Sequence, residues 1–180
     1  RSMIAHPFNP VHLVPLVELV GGENTDKSYI LKAKAFFEHL GKIVVIVRKE
    51  VPGFIANRLQ AAIWREAVDM VLQGIGTVED IDKALYAGPG IRYALMGQHL
   101  IYHLGGGKGG IEHFIDHIGK NKRRIWEDIA TWTTIPEEAK ELLSEGTAEE
   151  IKGRDIEEIK RWRDEKLVEL IKCIYGEDHD

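Results

Sequence analysis

Between Leu16 and Val47 the chain reads LVELVGGENTDKSYILKAKAFFEHLGKIVVIV, and its periodicity changes twice within 32 residues. Leu16 to Val20 is a short apolar run closed by Gly21-Gly22, the pattern of a strand. Residues 26–40 switch to helical spacing, with Tyr29, Ile30, Ala33, Phe36, Phe37 and Leu40 on one stripe and Gly41 placed as a C-cap. Ile43 to Val47 is a continuous β-branched run, which predicts a strand buried on both faces. Upstream, Met3-Ile-Ala-His6 predicts another short strand, and Pro7, Pro10 and Pro15 keep the connection extended. Residues 1–49 thus read as strand, strand, helix, strand. Parallel strands need more partners than these, because open sheet edges are aggregation templates. The expectation is the tail of a larger α/β domain whose front half lies outside this chain.

From residue 50 onward every segment reads as helix. Pro52 is placed at a helix start. Phe54, Ile55, Leu59, Ala62, Ile63, Ala67, Met70 and Val71 follow as an apolar stripe ending at Gly74. Thr77 and Asp80 form a weak capping box for a helix over 78–86. After Gly88-Pro89-Gly90 comes an apolar stretch over 92–104. Helices are expected at 110–118, 121–132, 136–145 and 148–152, the last opened by a Thr147/Glu150 capping box. Residues 156–175 carry the clearest stripe, stopped by Gly176. The fold class is therefore mainly α. An α/β remnant over 1–49 precedes a helical domain over 50–180.

The 180 residues are 44% hydrophobic and 29% charged, ordinary for a globular protein and incompatible with disorder. No apolar run approaches the ~18 residues of a membrane span. The lone Cys173 excludes an internal disulfide framework and makes a reducing, cytoplasmic location the simplest expectation. Residues 136–180 hold 15 acids against 8 bases. Such an acidic helical segment argues against nucleic acid as the main partner.

Two features of the first 60 residues carry chemistry. Glu18 sits at the centre of an apolar strand, where an unpaired carboxylate is costly. His6, in the neighbouring strand, is its natural partner. A carboxylate fixes the tautomer of an imidazole and stabilises its protonated form, which makes a general base. A plain strand-tying His–Glu pair is the competing reading. Asn57, in the first turns of a helix, can offer its amide to a substrate oxygen or merely bond local backbone.

His6-Pro-Phe-Asn-Pro10, Pro15-Leu-Val-Glu18 and Val51-Pro-Gly-Phe-Ile-Ala-Asn-Arg-Leu59, in this order and spacing, resemble the L-3-hydroxyacyl-CoA dehydrogenase family. The resemblance implies a Rossmann-type nucleotide-binding domain, here incomplete, joined to a helical substrate-binding and dimerisation domain. It implies an NAD-dependent oxidoreductase that oxidises a secondary 3-hydroxyl. His6 matches the general base, Glu18 its paired carboxylate, and Asn57 the residue that orients the substrate. The family's Gly-rich fingerprint and substrate-touching serine are expected upstream, so NAD is expected to be held mainly by the part outside this chain. The implied partners are a small 3-hydroxy substrate and a second copy of the chain.

The second half departs from the acyl-CoA pattern. Gly88-Pro-Gly-Ile-Arg-Tyr-Ala-Leu-Met-Gly97, Gly109-Gly-Ile-Glu-His-Phe114 and Arg161-Trp-Arg-Asp-Glu-Lys-Leu167 look more like the relatives that oxidise carnitine or gulonate, including the lambda-crystallin type. Arg92, just after Gly-Pro-Gly, is a candidate clamp for a substrate carboxylate, which a thioester lacks. Helix packing or a dimer contact is its plainer role. A non-catalytic dimerisation module is the alternative for the isolated chain.

Gly105, Gly107 and Gly110 formally match G-x-G-x-x-G, but no strand precedes them, so they read as a turn between helices. His99/His103 and His113/His117 each share a helical face at zinc-ligand spacing. Polar histidines flanking a cleft or a subunit interface are the expectation, and no metal is assigned.

Overall fold

The computed structural model describes residues 2–176. Two compact units emerge, one of residues 2–62 with 161–170, the other of residues 63–160 with 171–176. Among the described residues no helix is long and apolar enough to cross a membrane.

The first unit holds a three-stranded sheet in the order β1 (Met3–Pro7), β2 (Leu16–Gly21), β3 (Ile43–Val47). β1 pairs antiparallel with β2, and β2 pairs parallel with β3 across the helix α1 (Lys27–His39). Asp26 caps α1 by accepting a hydrogen bond from the Ser28 amide at 2.7 Å. Gly41 follows with φ +73°, a left-handed conformation that suits glycine at a helix end.

As the central strand, β2 carries four consecutive buried residues: Val17, Glu18, Leu19 and Val20. Its two faces meet different layers. A Cβ on Gly21 would fall 2.6 Å from Ile30 Cδ1, so α1 lies against the face shared by Gly21, Leu19 and Val17. Glu18 points to the opposite face, beside its register partners His6 and Val45.

β3 is not buried on both faces as its sequence predicts. Only Val47 is buried, and Ile43 is exposed. Among the described residues β3 pairs on one side only, and an edge strand is covered less than a central one. The α1 stripe is likewise split. Ile30, Ala33 and Phe37 are half-buried, whereas Tyr29, Phe36 and Leu40 are exposed.

Pro52 does not open the next helix. Val51-Pro52-Gly53-Phe54 closes a turn with the Phe54 amide donating to the Val51 carbonyl at 3.1 Å. Proline at its second position and Gly53 at φ +77° are the signature of a type II turn. The helix α2 (Ala56–Leu72) begins after it. Its predicted stripe is exposed at Ile55, Leu59 and Ile63 and half-buried at Phe54, Ala67, Met70 and Val71.

In the second unit, α3 (Val78–Leu85) opens with the expected Thr77–Asp80 capping box. α4 (Ile91–Tyr93), α5 (Gln98–Gly105), α6 (Gly110–His117) and α7 (Lys122–Asp128) follow, and α7 is shorter than predicted. Val68, Ile81, Ile101, Phe114, Ala130 and Ala139 are the buried apolar residues of this unit. Three side chains of α2 hold the extended segment after α7. Arg65 donates to the Trp132 carbonyl, Glu66 accepts from the Ala130 amide, and Asp69 accepts from the Trp132 indole.

The predicted helices 136–145 and 148–152 are one helix, α8 (Ala139–Ile151), so the Thr147/Glu150 capping box does not form. Gly146 is not a break. A Cβ there would lie 2.4 Å from Val78 Cγ2, so the missing side chain lets α8 approach the start of α3. The last helix, α9 (Ile156–Tyr175), runs as predicted between Asp155 and Gly176, but its stripe is exposed at Ile156, Trp162 and Leu170.

Replacing Gly146 with alanine tests this packing. In an open helix the change stabilises by about 0.5–1 kcal/mol. Here overpacking should reverse the sign, costing about 1–3 kcal/mol in urea unfolding. Val78→Ala in the same chain should recover part of the loss.

Candidate active site

Strand register brings the first pair of candidate residues together. His6 and Glu18 face each other across the β1–β2 ladder, and His6 Nδ1 lies 2.9 Å from Glu18 Oε2. The Glu18 side chain is 1% exposed and that of His6 28%. An ionised carboxylate only accepts hydrogen bonds, so Nδ1 carries the proton and donates it. Nε2 is then the ring nitrogen with a free lone pair.

The second carboxylate oxygen is held by backbone. Glu18 Oε1 accepts from the Ile55 amide at 2.9 Å and the Ala56 amide at 3.0 Å. These are among the amides that the first turn of α2 leaves without intrahelical partners. Glu18 therefore caps α2 from a neighbouring strand, and the positive end of the helix favours its negative charge. Burial pushes the carboxyl upward and is the largest single influence. The Ala56 amide, the His6 ring and the Ile55 amide together outweigh it, and the group lies below its ordinary value of 4.5. No buried side-chain nitrogen or oxygen among the described residues lacks a partner.

Phe54 completes this arrangement. Its ring packs edge-on to the His6 imidazole with centroids 5.3 Å apart and planes at 61°. Phe54 also has φ +49°, directly after the left-handed Gly53. Sequence reasoning missed Phe54 and the two amides. The Pro52-Gly53 dipeptide was their signal, because such a turn ahead of a helix presents free amides.

Asn57 follows Ala56 in the first turn of α2 and is exposed. Among the described residues its amide makes no hydrogen bond, so the local backbone bond is not formed. Arg92 belongs to the second unit. It is exposed on the three-residue α4, after a wide turn of helix over Tyr86–Gly90, and its guanidinium has no ion-pair partner among the described residues.

The other candidates have structural placements. His103 Nδ1 accepts from the Ile111 amide at the start of α6, and the His113 and His117 rings stack at 4.1 Å. Among the described residues no three His, Cys, Asp or Glu side chains converge to hold a metal ion. The glycine-rich stretch 105–110, interrupted by Lys108, joins α5 to α6. A Cβ on Gly106 would lie 1.8 Å from the Gly110 carbonyl oxygen, so the glycines serve a tight helical hairpin.

A dinucleotide needs a helix N-terminus open to its phosphates. The α1 N-terminus does not fit. The Asp26 carboxylate occupies it, held below its ordinary value by the Ser28 amide and hydroxyl. Residues 21–28 thus form no phosphate cradle.

Residues 1–51 match the family described as 3-hydroxyacyl-CoA dehydrogenase, NAD binding domain, and residues 53–149 match the C-terminal domain of the same name. Two such matches in this order define the class, a dehydrogenase sequence in which a nucleotide-binding domain precedes a helical one. Within that class the chain belongs to the 3-hydroxyacyl-CoA dehydrogenase family.

Among individual relatives, the L-carnitine dehydrogenase of Streptomyces coelicolor is 45% identical over 176 residues, covering 96% of this chain and 54% of the relative. The L-carnitine dehydrogenase of Pseudomonas aeruginosa is 43% identical over 177 residues, covering 97% and 54%. The chain spans about half the length of the curated relatives it matches. A crystal structure of 5-formyl-3-hydroxy-2-methylpyridine 4-carboxylic acid 5-dehydrogenase, an NAD-dependent dismutase, has a TM-score of 0.79 at 23% identity. It covers 97% of this chain and 56% of that one, and the likeness is one of fold.

Glu18 links folding to pH. Its depressed value makes its contribution to stability complete above about 4.5 and lost as pH falls through the lower folded value. Glu18→Gln should cost about 2 kcal/mol near neutrality, the scale of hydrogen bonds to a charged group. The gap between wild type and variant should narrow in acid below the ordinary carboxyl range, read by urea unfolding at a series of pH values.

Proposed function

We propose that the whole protein is an NAD-dependent dehydrogenase that oxidises the secondary 3-hydroxyl of a small free carboxylic acid, with L-carnitine the first candidate. The observation that carries the chemistry is the His6–Glu18 hydrogen bond in a buried setting. Support for the substrate comes from relatives at 40–45% identity that bear the name L-carnitine dehydrogenase. In the same reading residues 1–49 are the end of a Rossmann-type NAD-binding domain. Residues 50–180 form the helical substrate and dimerisation domain. The family boundary between residues 51 and 53 supports that division.

The chain's own residues do the proton chemistry. With Nδ1–H donated to Glu18, His6 Nε2 takes the hydroxyl proton as the C–H bond of the same carbon breaks. The carbonyl forms, and the proton stays on Nε2. Glu18 stabilises the imidazolium through a contact of 2.9 Å, and its two backbone donors keep it from turning away. NAD, when bound, supplies the hydride acceptor. Asn57 orients the substrate oxygen from the start of α2, and Arg92 pairs with the substrate carboxylate through its planar fork.

An acyl-CoA thioester is the second reading, favoured by the family description itself. NADH formation by the full-length protein separates the two. The free-acid reading expects turnover of L-carnitine or gulonate and little of 3-hydroxybutyryl-CoA. Turnover confined to the thioester overturns it. His6→Ala should lower kcat by about 10²–10⁴-fold, the usual worth of a general base. A near-wild-type rate removes His6 from the mechanism. Arg92→Met should raise KM for the free acid about tenfold and leave a thioester unaffected, the scale of one charge-assisted contact. Equal effects on both substrates would make Arg92 structural.

A further inference from the structure

Glu18 anchors the His6 imidazole at one atom only, through Nδ1. One hydrogen bond fixes a point on the ring but not its plane. The imidazole torsion has a broad profile, so a ring held at one nitrogen still swings about that anchor. Swinging displaces Nε2, the atom that must meet the substrate proton. A second contact, against the ring itself, is needed to define the plane.

Phe54 supplies that contact. Its ring lies 5.3 Å from the imidazole centroid at an angle of 61°, the edge-to-face arrangement that aromatic pairs favour. The backbone that delivers it is unusual. Phe54 has φ +49°, a left-handed region that a bulky side chain disfavours. Turn geometry alone would be better served by glycine or asparagine, which enter that region readily. A strained aromatic is kept where the ring itself is needed. The same turn also delivers the Ile55 and Ala56 amides to Glu18. One four-residue stretch, Gly53 to Ala56, thus grips both members of the pair, the carboxylate through backbone and the imidazole through a ring.

We propose that Phe54 is a positioning residue that sets the plane of the His6 imidazole, and with it the aim of Nε2. This rests on the reading of His6 as the base.

The test uses three Phe54 variants of the full-length protein, with His6→Ala as reference, assayed by NADH formation with L-carnitine and with 3-hydroxybutyryl-CoA. Phe54→Asn and Phe54→Gly keep or relax the left-handed turn but remove the ring. Phe54→Tyr keeps the ring. Asn and Gly should each lower kcat by about 10- to 100-fold, the cost of a small misplacement of a reacting group. KM for the hydroxy substrate should change little, and circular dichroism and cooperative unfolding should show an intact fold. Tyrosine should keep kcat near wild type. A wild-type kcat in the asparagine or glycine variant overturns the proposal. So does a Tyr variant as impaired as the other two, because the ring would then not be the property that matters. His6→Ala separates the two levels. If it loses activity while the ring-free variants do not, only the role of Phe54 fails. If His6→Ala keeps activity, the base assignment fails first.

Discussion

One buried carboxylate ties the first unit together. Glu18 accepts from His6 on one side and from two backbone amides at the start of α2 on the other. Burying a charge that lacked these donors would cost several kcal/mol. With three donors on two oxygens the group is held ionised inside the sheet. The cap of α2, the tautomer of His6 and the packing of the turn at 51–55 all depend on that single side chain.

The direction of the Glu18 shift follows from this geometry. Desolvation alone would push the carboxyl upward, and a neutral acid would hold the His6 ring less firmly. Backbone amides are the right counterweight because they do not titrate. They hold the charge in place independently of the His6 contact.

How legible this was depends on what kind of group did the work. The strands, α1 and the change to all-helical structure after residue 50 were readable from periodicity, and the His6–Glu18 contact from the cost of an unpaired glutamate in a strand. Thr77–Asp80 was readable as a cap because the chain stops at Gly74 and Gly76 before it. The Thr147/Glu150 box looked better in sequence but failed. Gly146 is there to admit Val78, a tertiary reason that local pattern does not show. Backbone donors carry no side-chain signature, so the Ile55 and Ala56 amides show in sequence only indirectly, through the Pro52-Gly53 turn, and a proline there fits a helix start equally well. Apolar stripes announced which faces are amphipathic but not which are covered, as the exposed Leu59 and Trp162 show. The role of Asn57 rests on family resemblance and that of Arg92 on its place after Gly-Pro-Gly, since neither side chain makes a hydrogen bond or ion pair among the described residues that would define one.

The connection between His6 and Glu18 is more than a link. The Lys42 ammonium donates to the carbonyls of Val11 and Val14 and so pins its course. Sheet pairing has a period of two, so a slip of one residue would set His6 opposite Val17 or Leu19 and turn Glu18 toward α1. A slip of two would restore the facing but separate the partners by about 7 Å along the strand. The intervening segment therefore works as a ruler. Chains folded in any other alignment would lose, at the same stroke, both the carboxylate cap of α2 and the His6–Glu18 hydrogen bond.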